Sequence, residues 1–176
     1  GKNALFQNVS RLYSNSDGVF TLLEDESIEG VEDGSVAFAD VDGDGDEDVL
    51  VSGSVSNVER ISSLYINDGS GNFDLDPNTP FDGVRFGSVG FSDIDGDSDM
   101  DVLITGLSSG GIIAKLYAND GAGNFALVMN GSFDTFFTEV TGSSIAFSDV
   151  DNDGDDDVLI NGRTSFNQRT ALLYAN

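Results

Sequence analysis

Fifteen aspartates, five in each of three short segments, set the chemistry open to this chain. The first set is Asp40, Asp42, Asp44, Asp46 and Asp48. The second is Asp93, Asp95, Asp97, Asp99 and Asp101, and the third is Asp149, Asp151, Asp153, Asp155 and Asp157. Carboxylates at every second position around a turn offer only oxygen ligands, six or more with backbone carbonyls, in a flexible loop. That set suits a hard cation, and Ca²⁺ over Mg²⁺, which demands a tight octahedron and keeps its waters. Numbering each loop from its first aspartate, positions 1, 3, 5 and 9 supply side chains. Position 7 (Asp46, Asp99, Asp155) supplies its carbonyl, its own side chain facing water. Gly45 or Gly154 at position 6 allows the sharp turn that brings both ends of the loop together. Ser98 takes that place in the second loop, where a positive φ carries strain and predicts weaker binding. The expectation is three Ca²⁺ sites.

An EF-hand needs a bidentate Glu at position 12 and flanking helices. Position 12 here is Val51, Ile104 or Ile160, and no helix pattern flanks the loops. A merely solubilising acidic turn is the plainer alternative. The spacing recurs three times, however, and like charges this close repel strongly without a cation.

The charge belongs to the loops. The chain has 32 acidic residues against 7 basic ones, a net charge of −25, and 17 of the acids lie in 40–48, 93–101 and 149–157. Phe, Val, Leu and Ile fill the remainder, so a packed core is expected and disorder is not. The charge argues against nucleic acid and against adhesion to anionic membranes. No apolar run is long enough for membrane insertion as a helix, and the first residues do not read as a signal peptide. If secreted, the chain would be a mature form or a fragment. There is no Cys, so cations would replace disulfides as staples, and no His.

The elements that position the loops repeat. Asp40, Asp93 and Asp149 recur at intervals of 53 and 56 residues. Leu64-Tyr-Ile-Asn-Asp-Gly-Ser-Gly-Asn-Phe73 recurs as Leu116-Tyr-Ala-Asn-Asp-Gly-Ala-Gly-Asn-Phe125. Leu12–Phe20 is a worn copy, and Leu173–Asn176 carries its start. Each period offers four strand signals, 35–39, 48–52, 60–66 and 72–75 in the first. The turns between the last two read as hairpins, with no helix or lysine to make them phosphate loops. Phe20, Phe73 and Phe125 after the turns read as packing residues. Four short strands per 40–50 residues is the pattern of a β-propeller blade. The fold expected is all-β, a β-propeller of four-stranded antiparallel blades. About three blades are present: 35–87, 88–142 and 143–176, the last without its outer strand. Residues 1–34 would supply an N-terminal strand, 19–24 and with it 4–9, that completes a split terminal blade. Three blades are too few to close a ring. Two chains would share a six-bladed ring, or the chain is part of a larger propeller, or its open ends pair copy to copy.

The run Phe86-Gly-Ser-Val-Gly-Phe-Ser-Asp-Ile-Asp-Gly-Asp97 resembles the FG-GAP/VCBS repeat, the blade of integrin α-chain propellers and of many secreted bacterial proteins. The resemblance covers nearly the whole chain. It implies a propeller with calcium loops between the first and second strands of each blade, with ligands at the positions numbered above. Asp33-Gly34 and Thr141-Gly142 stand where the second repeat has Phe86-Gly87. Asn-Asp-Gly-x-Gly-Asn-Phe brings the chain nearer the bacterial type.

The function expected is a non-catalytic, calcium-stabilised module, extracellular or on the cell surface, for adhesion or for recognition of protein or glycan. Without His or Cys the commonest base and thiol nucleophile are missing, and the carboxylates are committed to metal. Two alternatives stand beside it: a self-assembling homo-oligomer or filament completed by strand exchange, and an accessory domain of a secreted carbohydrate-active enzyme. An insertion at 133–140 bearing Phe136-Phe137 is a binding surface or a cover for the neighbouring blade. Asn8-Val-Ser10 and Asn130-Gly-Ser132 match the N-glycosylation pattern, which arises readily by chance.

Overall fold

The structure is a computed structural model that describes residues 8–23, 27–129 and 137–176. The described residues form thirteen strands and no helix, and every paired strand is antiparallel to its neighbour. β1 (Leu12–Ser16) and β2 (Val19–Leu23) make a hairpin. The first unit is a four-stranded meander of β3 (Glu32–Ala39), β4 (Asp48–Ser54), β5 (Arg60–Asn67) and β6 (Phe73–Leu75). The second repeats it with β7 (Arg85–Ser92), β8 (Asp101–Leu107), β9 (Ile112–Asn119) and β10 (Phe125–Leu127). The third has β11 (Thr141–Ser148), β12 (Asp157–Arg163) and β13 (Arg169–Tyr174). These sheets match the blades expected, and none of them closes on itself.

The N-terminal strand expected at 19–24 is β2, which pairs with β1, Leu12 opposite Leu23; β13 has no second partner among the described residues. The expected strand 4–9 falls mostly on residues 4–7, which lie outside the described residues, as does Glu24.

The alternation within each strand explains how the units stack. In Asp-Val-Leu-Val51 of β4, Val49 and Val51 face back toward the hairpin, packing with Leu12, Ile28 and Val31. Leu50 faces forward into the core shared with the second unit. In β8, Val102 and Ile104 face back and Leu103 faces forward; in β12, Val158 and Ile160 face back. The first strands β3, β7 and β11 lie side by side. Gly90 is small because a Cβ there would press on the ring of Phe147 in the next unit. Each third strand contributes a tyrosine that pins the segment entering its own unit. Tyr65 accepts the N–H of Glu29, Tyr117 that of Asp82, and Tyr174 that of Thr138. Burial pushes the Tyr117 phenol up to about 12. Phe81 stands edge-on to both Tyr117 and Phe125, and Phe137 stands edge-on to Tyr174. Phe137 packs against the cluster of Leu103, Val140, Val158 and Ile160; Phe136 lies outside the described residues.

Three expectations change. The first strands start at Glu32, Arg85 and Thr141, ahead of the bounds drawn at 35, 88 and 143, and pairing resumes at Ser35, Ser88 and Ser144 after a bulge. Asp33, Phe86 and Gly142 take the left-handed conformation there, with φ of 55°, 50° and 59°. The counterpart of Phe86-Gly87 in the third unit is therefore Gly142-Ser143, not Thr141-Gly142. Phe73 is buried as expected, but Phe20 is 68 % exposed, since no described residue lies beyond the hairpin to pack it. Asn8 donates its side-chain amide to the carbonyl of Ser54, a bond that N-glycosylation would disturb; Asn130 lies outside the described residues.

Leu103 is fully buried, whereas Leu159, its equivalent in the third unit, is 43 % exposed. Leu103→Ala should therefore cost about 2–5 kcal/mol of unfolding free energy. Leu159→Ala should cost under about 1 kcal/mol. Urea denaturation of the two variants checks this, and equal losses would mean that the third unit's forward face is covered in solution.

Candidate metal centres

The acidic loops join β3 to β4, β7 to β8 and β11 to β12, at one end of the stack. Each needs two left-handed residues, at positions 4 and 6. These are Gly43 and Gly45 (φ 76° and 95°), Gly96 and Ser98 (77° and 78°), and Asn152 and Gly154 (64° and 106°). Ser98 does adopt the positive φ expected to strain it.

Position 1 organises the turn. Asp40 accepts the N–H groups of Gly43 and Gly45 at 2.8 and 3.0 Å, one on each oxygen. Asp93 accepts those of Gly96 and Ser98 at 2.8 and 3.0 Å. Asp149 accepts those of Asn152 and Gly154 at 2.6 and 3.2 Å. Position 9 is buried at the head of the second strand. Asp48 accepts from Val41 N–H at 3.0 Å and from Asn67 N–H at 2.8 Å. Asp101 accepts from Ile94 and Asn119, and Asp157 from Val150 and Asn176, in the same way.

The structure brings together Asp40, Asp42 and Asp48 in the first loop, Asp93, Asp95 and Asp97 in the second, and Asp149, Asp151 and Asp157 in the third. Within each group one carboxylate oxygen per residue lies within 4.8 Å of the others. Three converging carboxylates fit a hard cation. Asp44 and Asp153 instead accept the N–H of Asp46 and Asp155 at position 7, and Asp97 likewise accepts that of Asp99. Asp101 stands outside its loop's converging group. Asp46 and Asp99, expected to face water, are half-buried against Gly69 and Gly121. Asp155 is exposed. Asp156 accepts a 2.6 Å bond from the Ser92 hydroxyl of the second unit.

Sequence reasoning missed Asn67, Asn119 and Asn176. The repeated Leu-Tyr-x-Asn was visible, but its asparagine reads there as a turn residue. The structure shows its N–H holding the position-9 carboxylate. The following Asp68 and Asp120 are occupied within their own hairpins by Asn72 and Asn124, which hold their carboxyls below the usual range.

Without a cation the loops work against themselves. Burial raises the carboxyls of Asp48 and Asp101, and the neighbouring Asp42 and Asp44, or Asp95 and Asp97, raise them further. Desolvation and then the charge of Asp97 raise Asp99; the charge of Asp153 and then desolvation raise Asp151. A raised carboxyl binds its proton more tightly folded than unfolded, so its penalty lifts as pH falls from the raised values toward 3.8. Asp68 and Asp120 act oppositely, and their contribution is lost only below 3.8. Metal-stripped protein should therefore gain stability as pH falls through the raised carboxyl values toward about 4. Urea midpoints across that range test it; a midpoint that falls steadily from pH 7 downward contradicts the assignment.

No curated protein matches the chain. The FG-GAP-like repeat matches residues 4–51 and 93–160, which take in the hairpin, the first acidic loop, and the second and third loops with the strands between them. That span is more than half of the chain, and the chain belongs to the FG-GAP-like repeat family.

Proposed function

We propose that this chain is a non-catalytic, calcium-stabilised β-propeller module that works outside the cell in adhesion or in recognition of protein or glycan. The observation that carries the reading is the threefold convergence of carboxylates on loops of one design. Membership of the FG-GAP-like repeat family and the four-stranded meanders support it. Asp40, Asp42 and Asp48 would hold the first ion, Asp93, Asp95 and Asp97 the second, and Asp149, Asp151 and Asp157 the third. Position-7 carbonyls and water would complete the shells. The ion's role is to offset carboxylate repulsion, so metal binding and folding are one equilibrium.

Millimolar calcium should raise the melting temperature well above that in EGTA. Each site contributes about 2.7 kcal/mol when the ion is at a hundred times its dissociation constant. An EGTA melt identical to the calcium melt would end the structural-ion reading. Ser98→Gly should tighten calcium at the second loop several-fold, because the left-handed conformation costs a non-glycine residue about 1 kcal/mol or more. Calorimetric titration of both proteins measures the difference.

A second reading, self-assembly between copies, is favoured by the third unit. Its forward face leaves Leu159 and Leu173 at 43 % and 56 % exposure, where Leu50, Leu64 and Leu103 in the earlier units are sealed. Beside β13 runs a groove of about 490 Å³ lined by Leu116, Val128, Phe137, Val158 and Tyr174. In the second unit the corresponding strand edge carries β10, with Phe125 against Phe81. A strand from another copy could take that place by edge pairing. Light scattering in calcium distinguishes the readings, a discrete dimer or growing polymer supporting assembly and a monomer removing it.

A further inference from the structure

One asparagine joins two acidic loops. Asn119, the last residue of β9, is 6 % exposed. Its backbone N–H donates to Asp101 of its own unit at 2.9 Å. Its side-chain Nδ2 crosses to the preceding unit and donates to the carbonyl of Val41 at 2.8 Å, with a longer contact to Met100 O at 3.3 Å. The Gly121 N–H on Oδ1 at 3.3 Å sets the direction of the amide. Asn176 repeats the arrangement one unit on. Its N–H reaches Asp157 at 3.0 Å, and its Nδ2 reaches the carbonyl of Ile94 at 2.6 Å.

The two carbonyls are placed with consequence. Val41 lies between Asp40 and Asp42, and Ile94 between Asp93 and Asp95. Each pair belongs to a converging carboxylate group. The N–H of the same residue is held by the position-9 aspartate, Asp48 or Asp101. An unbroken line of hydrogen bonds therefore runs Asp48–Val41–Asn119–Asp101–Ile94–Asn176–Asp157–Val150, through all three loops.

We propose that Asn119 and Asn176 are positioning residues for the cation loop of the unit before their own, and that through them occupancy of one loop favours occupancy of the next. The proposal rests on reading the loops as cation sites. Val41 is 1 % exposed, so its carbonyl loses a partner that water does not readily replace when Nδ2 is removed. The backbone leading to Asp42 is then free to turn. Conversely, an ion that orders the first loop fixes the carbonyl, and with it Asn119 and Asp101. The coupling is reciprocal by thermodynamic necessity. Asn67 is a built-in control, since its Nδ2 donates at 3.2 Å to Glu47 O in its own unit, as Asn119 does to Met100 O.

The test is a calcium titration followed residue by residue through the amide NMR signals of Gly45, Ser98 and Gly154, one reporter per loop. In Asn119→Ala the first loop should saturate at about three- to tenfold higher calcium, the worth of one buried hydrogen bond. By reciprocity the second loop should shift in the same direction, and the third least of the three. Asn176→Ala should shift the second loop most and the first, still joined to it through Asn119, less. This variant removes a side chain after the last strand, so it keeps the proposal testable if Asn119→Ala folds poorly. Asn67→Ala sets the size of an own-unit effect. A first loop unmoved in Asn119→Ala, or an equal shift of all three loops, would overturn the coupling and leave the cation sites standing. Reporters that ignore calcium in the unaltered protein would remove the cation reading itself.

Discussion

Each unit is organised around a carboxylate it has withdrawn from water. Asp48, Asp101 and Asp157 are at most 2 % exposed. A charge so placed is tolerable only when fully hydrogen-bonded. Both oxygens are met by backbone N–H groups from two different places, the second residue of the acidic loop and the asparagine at or just past the end of the third strand. One side chain thus fixes the loop to the second strand on which it stands, and both to the third. The remaining acids of the loop can then converge, because the loop's two ends are already held.

That joint explains why the sheet and the acidic loop repeat together. The Val-Leu pair after each position-9 aspartate sends its first residue back and its second forward, so the strand leaving the loop also mates two units. The stack is held by nearest-neighbour contacts, as in repeat proteins whose stability sums unit by unit. Its two described ends differ in kind. The hairpin covers the back of the first unit with Leu12 but leaves Val36 and Phe38 at 60 % and 49 % exposure. The third unit has its three inner strands and an open outer edge.

Much of this was legible in the residues. The alternating aspartates, the β-branched run after them and the Leu-Tyr landmark placed two complete four-strand units within a few residues of their observed bounds. Local rules sufficed because each strand follows its own turn. What escaped was set by pairing across distance. The bulge near the start of each first strand is invisible until Ser35, Ser88 and Ser144 are seen to resume pairing, so the residues alone put the third unit's counterpart of Phe86-Gly87 one position early. The pairing of β2 with β1 needed the strand Leu12–Ser16, whose polar residues gave only a worn copy of the repeat. The convergence of Asp97 in place of Asp101 in the second loop is likewise a matter of side-chain direction that spacing does not carry.

The apolar residue at position 2 is the least obvious part of the motif and the most telling. A valine or isoleucine between two ionised aspartates is out of place in a solvated turn. Val41 resolves the conflict because its side chain enters the core shared with the second unit, while its peptide is held between Asp48 and Asn119. Val150, in the same place in the third unit, has no described unit ahead of it and is 52 % exposed. The same residue type is therefore sealed or wet according to whether a neighbour stands in front. It follows that the alternating acidic run does not specify a self-sufficient loop. Its aspartates arrange a cluster of oxygens, and its apolar residue demands that another unit be stacked against it.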